Sequence, residues 1–272
     1  MNFNYPKIGI ALSGGAARGN AHVGVLRALA ENNIRIDVIA GTSSGSIVGG
    51  ALAAGMSIDE IEALGRKLRW RHVGRLTLSR LGIQSNKRLE TFLRGVFPVS
   101  RFEDLPIPFA AVATDLNTGS PVVMRDQGDV PFAIRASCTI PGWYVPVPDE
   151  HGRLLVDGGL VAVIPSIAAR ALGADVVIAV DVNGDGATFF GSSGSVLGVI
   201  LQSMLVFQKT ASRSQLESAD LVIRPKVGHI RWDQVRKADE LIAAGYQAGL
   251  ESIPHIQALI DEATPALTQR VS

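Results

Sequence analysis

Several features that mark other protein classes are missing from this 272-residue sequence. Its one cysteine, Cys138, excludes an internal disulfide framework and is compatible with a reducing compartment. Lysine and arginine number 26 against 25 acidic residues, so no overall field selects nucleic acid or another highly charged partner. The sequence contains no repeat and no domain linker, and its polar residues 1–5 predict no signal peptide. We therefore expect one domain over residues 1–272, located in the cytoplasm or peripherally on a membrane.

A long uninterrupted apolar run is also missing, although a transmembrane helix needs about 20 such residues. The one candidate is the charge-free stretch 187–208, and its residues 191–195 predict a loop of glycine and serine. The remaining residues, 196–207, include Gln202 and Ser203. They predict a buried helix, with a helix that dips into a membrane as the alternative.

What is present is a chain that is 47% hydrophobic, enough for a large core, in which predicted strands and helices alternate. The pattern predicts strands at 7–12, 34–40, 107–114, 121–125, 143–147, 154–156, 176–182 and 221–224. It predicts helices at 21–32, 47–54, 130–137, 164–172, 233–250 and 253–263, and one that begins with a capping box at Ser57. Such alternation is typical of a mostly parallel sheet covered by helices on both faces, a three-layer α/β/α fold. The last two helices are expected to pack on the part formed by residues 8–182.

The stretch around Ser43 has the pattern of a nucleophile elbow. Ser43 is the centre of a Gly-x-Ser-x-Gly motif between Gly41 and Gly45, and the motif stands between a predicted strand and a predicted helix. Glycines on both sides of the serine suit a turn that is too tight for a Cβ. The amide of Ser44, at the helix N-terminus, could then face a developing oxyanion. A plain Gly/Ser loop is the alternative interpretation.

A second glycine-rich loop, residues 13–19, follows the first predicted strand. It lacks the Gly-Lys-Ser/Thr of a P-loop and the Gly-x-Gly-x-x-Gly of a dinucleotide site, although a phosphate could still bind there. A tight strand–helix turn is the simplest interpretation. Because the elbow follows one βαβ unit later, we prefer an oxyanion hole, with Arg18 fixing the loop or contacting a headgroup phosphate.

A nucleophilic serine needs a base, and none of the five histidines stands where a triad histidine is expected, at a strand end followed by a loop. Asp157 is the better candidate because it ends a predicted strand before two glycines, and the carboxyl ends of parallel strands are where sites assemble. A buried carboxylate can act as the base when its pKa is raised. A turn-capping aspartate and a histidine folding in from elsewhere stay open as alternatives.

The segment 66–94 contains nine basic residues and one acidic residue, Glu90. One interpretation is a solvated helical face. The other is a patch that contacts anionic lipid headgroups, with Trp70 at the interface.

These motifs together resemble the patatin-like phospholipase family, in particular its bacterial members. The resemblance is carried by Gly14-Gly15-Ala16-Ala17-Arg18-Gly19, Ala21-His22-Val23-Gly24-Val25-Leu26, Gly41-Thr42-Ser43-Ser44-Gly45 and Asp157-Gly158-Gly159. It implies a patatin-like fold and a serine lipid acyl hydrolase without a metal or another cofactor. Ser43 would attack the lipid ester and Asp157 would be the base, with an acyl-enzyme as the intermediate. By position, Gly14, Gly15, Ala16, Ala17 and Arg18 would supply the oxyanion hole, together with the Ser44 amide expected from the elbow.

Three positions depart from the family pattern. Ala16 replaces a third loop glycine, which predicts strain if φ is positive there. Residues 162–164 lack the usual asparagine before Pro165, so a polar contact of the site is expected to be absent, and Ser46 replaces an alanine. Two other functions stay open: a regulatory or adaptor protein on the same fold, and a histidine-dependent serine esterase.

Overall fold

The computed structural model describes residues 5–184 and 196–269, in which strands and helices alternate. The strands are β1 (Ile8–Leu12), β2 (Val38–Thr42), β3 (Arg75–Leu76), β4 (Gly82–Ser85), β5 (Phe109–Asp115), β6 (Pro121–Met124), β7 (Gly142–Tyr144), β8 (Val147–Pro148), β9 (Leu154–Asp157), β10 (Val176–Val180) and β11 (Leu221–Ile223). The helices are α1 (Asn20–Glu31), α2 (Ser44–Ala53), α3 (Ile58–Lys67), α4 (Trp70–Val73), α5 (Lys87–Val96), α6 (Val130–Ser137), α7 (Ser166–Ala171), α8 (Val196–Ala211), α9 (Arg213–Glu217) and α10 (Ala238–Gln269). The predicted loop 191–195 lies outside the described residues.

The central sheet begins with five parallel strands in the order β11-β10-β1-β2-β5. Successive side chains of each strand point to opposite faces of this sheet, and both faces are buried. Ile10 and Leu12 of β1 pack into the larger apolar core with α1, α2 and α10, whereas Ala11 packs into a smaller one with α7. The predicted α/β/α layers around a mostly parallel sheet are therefore confirmed.

Strand β5 is where the sheet changes direction. Its residues Ala113 and Thr114 pair with antiparallel β6 and also with antiparallel β9, so these two strands lie on opposite edges of β5. Strand β9 lies on the same edge of β5 as β2. Strand β2 pairs with β5 as far as Val112, which lies opposite Thr42, and β9 pairs with β5 from Ala113 onward. Strands β2 and β9 therefore approach each other end to end beside β5.

The C-terminal part differs from the prediction of two helices. Residues 238–269 form the single helix α10, which continues through Pro254. Pro254 is exposed, so water can hydrate the carbonyl that the missing N–H leaves unpaired, while Leu241 and Ile256 on the inner face are buried. Burial of that face keeps the helix continuous.

The basic segment 66–94 is not one helical face. It contains the end of α3, the short α4, a hairpin of β3 and β4, and most of α5. Strand β4 also pairs with β7, which makes a small three-stranded sheet that the sequence pattern did not predict. The predicted capping box of α3 is confirmed, with Ser57 and Glu60 bonded reciprocally.

Helix α8 is not the buried helix that the sequence predicted. Val199, Ile200, Val206 and Phe207 are exposed, so one side of the helix faces solvent, while Met204 and Leu205 face the interior beside Asp157. In the described part of the chain, no helix combines the length and the apolar character that crossing a bilayer requires.

Helix α10 packs on α1 through glycines that allow close approach of the two backbones. A Cβ at Gly245 would lie 1.9 Å from the carbonyl oxygen of Ala21. We expect Gly245→Ala to lower the free energy of unfolding by about 2–3 kcal/mol, measured by urea denaturation, because overpacking against backbone cannot relax. Gly95→Ala is the matched control, since Gly95 lies in α5 with nothing within 4 Å of an added Cβ. It is expected to raise stability by about 0.5 kcal/mol through helix propensity, and equal effects of the two changes would contradict the packing argument.

Candidate active site

Ser43 occupies the sharp turn between β2 and α2. Its φ is +51° and its ψ is −122°, a conformation that a non-glycine residue adopts only when its surroundings impose it. A Cβ at Gly45 would lie 2.2 Å from the carbonyl oxygen of Leu12, and one at Gly41 would lie 2.5 Å from the Cα of Ser46. The strand, turn and helix predicted for a nucleophile elbow are therefore present.

Ser137 supports the elbow from α6. Its hydroxyl accepts a hydrogen bond from the Ser43 amide at 2.8 Å and donates one to the Val112 carbonyl at 2.6 Å. It thus links the turn to β5. The motif spacing did not single out this role for Ser137, because the contact is made between residues 94 positions apart.

Asp157 lies next to Ser43 because of the strand register. It is the last residue of β9 and pairs with Ala113, the residue after the partner of Thr42 on β5. The Thr114 hydroxyl donates to its carbonyl at 2.9 Å. The prediction placed Asp157 at the site through the carboxyl ends of parallel strands, and this reason is wrong. Strand β9 is antiparallel and reaches the site from the opposite direction.

The Asp157 carboxyl group is buried without a cationic partner recorded among the described residues. Burial raises its pKa to about 6, against the lowering effects of the hydrogen bond from the Gly159 amide and of the neighbouring Ser43 hydroxyl. Asp157 therefore caps the following turn, as one interpretation predicted, and its carboxyl group also lines the cavity at Ser43. A carboxyl group with this pKa can both accept and return a proton near neutral pH.

The glycine-rich loop packs directly on the elbow. A Cβ at Gly14 would lie 3.3 Å from the Cβ of Ser43, and one at Gly19 would lie 2.5 Å from that of Ser44. Three of the predicted oxyanion-hole amides donate to backbone carbonyls: Gly14 to Val163, Ala17 to Trp232 and Arg18 to Gly15.

The amides of Gly15, Ala16 and Ser44 differ from those three. In the described residues, no hydrogen-bond acceptor is recorded for them, as is usual at helix N-termini. Ala16 has φ of +51°, so this position does require the left-handed conformation that glycine adopts more easily. Strain of about 1 kcal/mol is expected at Ala16.

Arg18 holds the loop in place from within the protein. It is 1% exposed, its Nε donates to the Ile230 carbonyl at 2.7 Å, and one Nη donates to Asn183 Oδ1 at 3.1 Å. Asn183 in turn donates to the Gly14 carbonyl. Of the two roles expected for Arg18, fixing the loop is the one these contacts favour. Asn183 and Ile230 are remote in sequence and carried no motif that could have identified them.

The segment before Pro165 is joined to the site by its backbone. The Thr42 hydroxyl donates to the Ala162 carbonyl at 2.7 Å, and the Val163 carbonyl accepts from Gly14. Main-chain groups thus link this segment to the elbow and the loop, although the asparagine side chain is missing.

None of the five histidines lines either of the two cavities that open at Ser43. His22 comes nearest in the chain, but it is fully buried and its Nε2 bonds the Ser13 carbonyl at 2.8 Å. Burial lowers the pKa of His22 to about 4, so its ring is neutral at working pH.

The two cavities differ in character. One is mainly apolar, and its walls come from α1, α2, α3 and α4 together with Cys138 and Tyr144. The other reaches Asp157, Asn183 and α8. Ser43, Ala16 and Ile140 line both, so the hydroxyl group lies at their junction.

Comparison with known proteins agrees with this architecture. Residues 10–170, more than half of the chain, match the family model described as patatin-like phospholipase. An NTE family protein of Mycobacterium tuberculosis is 41% identical over 182 residues, which cover 66% of this chain and 50% of that protein. Lysophospholipase NTE1 of Mycosarcoma maydis is 40% identical over 186 residues, covering 64% of this chain and 10% of that protein.

This chain therefore spans about half the length of the mycobacterial relative. Among solved structures, VipD from Legionella pneumophila superposes with a TM-score of 0.57 at 15% identity, covering 95% of this chain and 67% of that one. At this identity the similarity concerns the fold alone.

The buried carboxyl group of Asp157 makes a prediction about stability. Its pKa is about 6 in the folded protein and about 3.9 in an unfolded chain. The folded state therefore loses stability as pH rises from about 4 through 6, by up to about 3 kcal/mol. We compare the free energy of unfolding of Asp157→Asn with that of the wild type by urea denaturation. The difference, variant minus wild type, is expected to increase by about 3 kcal/mol between pH 4 and pH 8.

Asp126→Asn is the control, because Asp126 is exposed and has φ of +66°, which asparagine tolerates. Its stability relative to the wild type should not follow the same pH dependence. A pH-independent difference for Asp157→Asn would contradict a raised pKa at Asp157.

Proposed function

This chain belongs to the patatin-like phospholipase family, and we propose that it is a serine lipid acyl hydrolase that uses Ser43 and Asp157 as a catalytic dyad. The observation that carries the proposal is the position of Ser43, on a strained elbow, in the same cavity as the buried carboxyl group of Asp157, whose pKa is raised to about 6. The substrate class is a lipid ester, of the phospholipase A, lysophospholipase or carboxylic esterase type.

In the first half of the reaction, Asp157 accepts the Ser43 proton as Oγ attacks the ester carbonyl. The amides of Gly15, Ala16 and Ser44 stabilise the negative charge on the carbonyl oxygen. The carbon–oxygen bond to the alcohol then breaks, and the proton on Asp157 passes to the leaving alcohol. The product is an acyl group esterified to Ser43.

In the second half, Asp157 takes a proton from a water molecule that attacks the acyl carbonyl. The same amides stabilise the second oxyanion, and the proton returns to Ser43 as the fatty acid leaves. Gly14, Ala17 and Arg18 belong to the predicted oxyanion loop, and we assign them to its scaffold because their amides hold backbone carbonyls.

Competing assignments at this site are weaker. A histidine-dependent esterase is disfavoured because neither cavity at Ser43 is lined by a histidine. Cys138 also lies at the site, but burial and the nearby Asp157 raise the pKa of its thiol, so little thiolate forms. An adaptor role is disfavoured because both reacting groups are present and line the same cavity.

The apolar cavity is the place for the acyl chain. Its walls include Val23, Ile47, Leu68 and Val73, and it begins at Ser43. Apolar walls and a polar end at the nucleophile suit a fatty acyl group whose carbonyl carbon reaches Oγ. The alcohol part then lies in the second cavity, next to Asp157, where its oxygen can receive the proton.

The proposed dyad can be tested by substitution. Ser43→Ala should abolish hydrolysis of p-nitrophenyl butyrate, and Asp157→Asn should lower kcat by about 10³-fold or more, because an amide cannot accept the proton. In the wild type, kcat/KM should decline as pH falls below about 6, where Asp157 becomes protonated.

Ser120→Ala and Asp126→Asn, both at exposed positions, are the matched controls and should retain full activity. Full activity of Asp157→Asn, with loss of activity in a histidine variant instead, would replace the dyad by a histidine-dependent mechanism.

The proposed role of the apolar cavity can be tested through acyl-chain length. Val73 is only partly buried in α4 and lines the apolar cavity, so Val73→Phe can fill the cavity without disrupting the core. We expect the ratio of kcat/KM for decanoate over butyrate esters to fall by about tenfold, since each buried methylene contributes about 0.8 kcal/mol.

Val123→Phe, at an exposed position on β6, is the control and should leave the ratio unchanged. An unchanged ratio in Val73→Phe would mean that the acyl chain does not enter this cavity.

A further inference from the structure

The hairpin formed by β3 and β4, residues 75–85, exposes an unusual number of large apolar side chains. Leu76 is 75% exposed, Leu78 is fully exposed, Leu81 is 61% exposed and Ile83 is 44% exposed. Leu76 lies opposite Gln84 in the antiparallel pair, so Ile83, the neighbour of Gln84, points to the other face of the hairpin. Both faces of the hairpin thus expose apolar side chains to water, which is unfavourable unless another apolar surface covers them.

Basic side chains surround this tip. Five of them are exposed on or beside the hairpin: Arg71, Arg75, Arg80, Lys87 and Arg88. The sequence contains no acidic residue from 63 to 89, and among the described residues no carboxylate forms an ion pair with these five. By contrast, Arg66 pairs with Glu62 and Asp239, and Arg94 pairs with Glu90 and Asp129.

The hairpin is also joined to the wall of the apolar cavity. Strand β4 pairs with β7, which ends at the buried Tyr144, and Gly74 and Gly82 pack closely on Tyr144. Tyr144, Val73 and Trp70 line the cavity that begins at Ser43. A surface that holds the hairpin would therefore lie beside one end of this cavity.

We infer that the hairpin 75–85 is a membrane-docking element that inserts its leucines among the headgroups of an anionic bilayer. The surrounding arginines and lysines bind the lipid phosphates. Apolar insertion and electrostatic attraction together provide the two signals that stable peripheral binding requires. A nucleic acid would match the cations but would offer nothing to the exposed leucines, so the combination favours a bilayer.

This inference deepens the proposed function, because it names the surface from which a lipid substrate would reach Ser43. The docking itself does not depend on catalysis. It requires only the exposed leucines and the unpaired cations, and binding can therefore be measured without turnover.

The test is co-flotation of the full chain with vesicles of phosphatidylcholine alone and of phosphatidylcholine mixed equally with phosphatidylglycerol. We expect binding to the anionic vesicles that weakens at high salt. Leu78→Ser/Leu81→Ser should weaken binding by at least about tenfold through lost apolar burial. Arg75→Gln/Arg80→Gln should weaken it by about 30-fold on anionic vesicles, since each basic residue near the surface contributes about 1 kcal/mol.

Leu116→Ser and Lys226→Gln are the matched controls, because both residues are exposed far from the hairpin in sequence. Binding unchanged by the hairpin variants, or absent in the wild type, would overturn the inference. Equal binding to neutral and anionic vesicles would overturn the role of the cations.

Hydrolysis of soluble p-nitrophenyl butyrate separates this inference from the proposed function. The hairpin variants should retain it, which also shows that they fold. Ester hydrolysis without any vesicle binding overturns the docking element alone. Vesicle binding that needs the hairpin, in a wild type that does not hydrolyse esters, supports the docking element and overturns the proposed function.

Discussion

The site depends on two strands that meet end to end beside a third. Strand β2 arrives in parallel with β5 and ends at Thr42, while β9 arrives antiparallel on the same edge and ends at Asp157. Main-chain pairing to consecutive residues of β5 therefore fixes the separation of Ser43 and Asp157. The register of the sheet positions the pair, and the Ser137 and Thr114 hydroxyls add hydrogen bonds to the same backbone.

This arrangement has an electrostatic consequence. The carboxyl group of Asp157 is buried where its charged form is disfavoured, and among the described residues the Gly159 amide donates a hydrogen bond to it. Burial raises the pKa of Asp157 enough for the carboxylate to act as a base near neutral pH without a histidine. The loop held by Arg18 and Asn183 packs directly on the elbow that contains Ser43.

Much of the fold and the position of the site could be predicted from residue pattern. Apolar runs predict the parallel strands. The glycines on both sides of Ser43 predict the elbow, because an added Cβ there would clash with neighbouring backbone. Asp157 was selected for the wrong reason, because strand direction depends on pairing that local sequence does not encode. The break expected near Pro254 was wrong because packing on α1 outweighs one lost hydrogen bond. The hairpin of β3 and β4 was missed because its strands span only two and four residues.

The central claim is that Ser43 is the nucleophile, and its most direct measurement is reaction of the folded protein with an alkyl fluorophosphonate followed by peptide mapping. We expect one phosphonyl group per chain, bonded to Ser43, and no adduct after Ser43→Ala. An adduct on another residue, or a folded protein that hydrolyses esters while Ser43 stays unmodified, would contradict it.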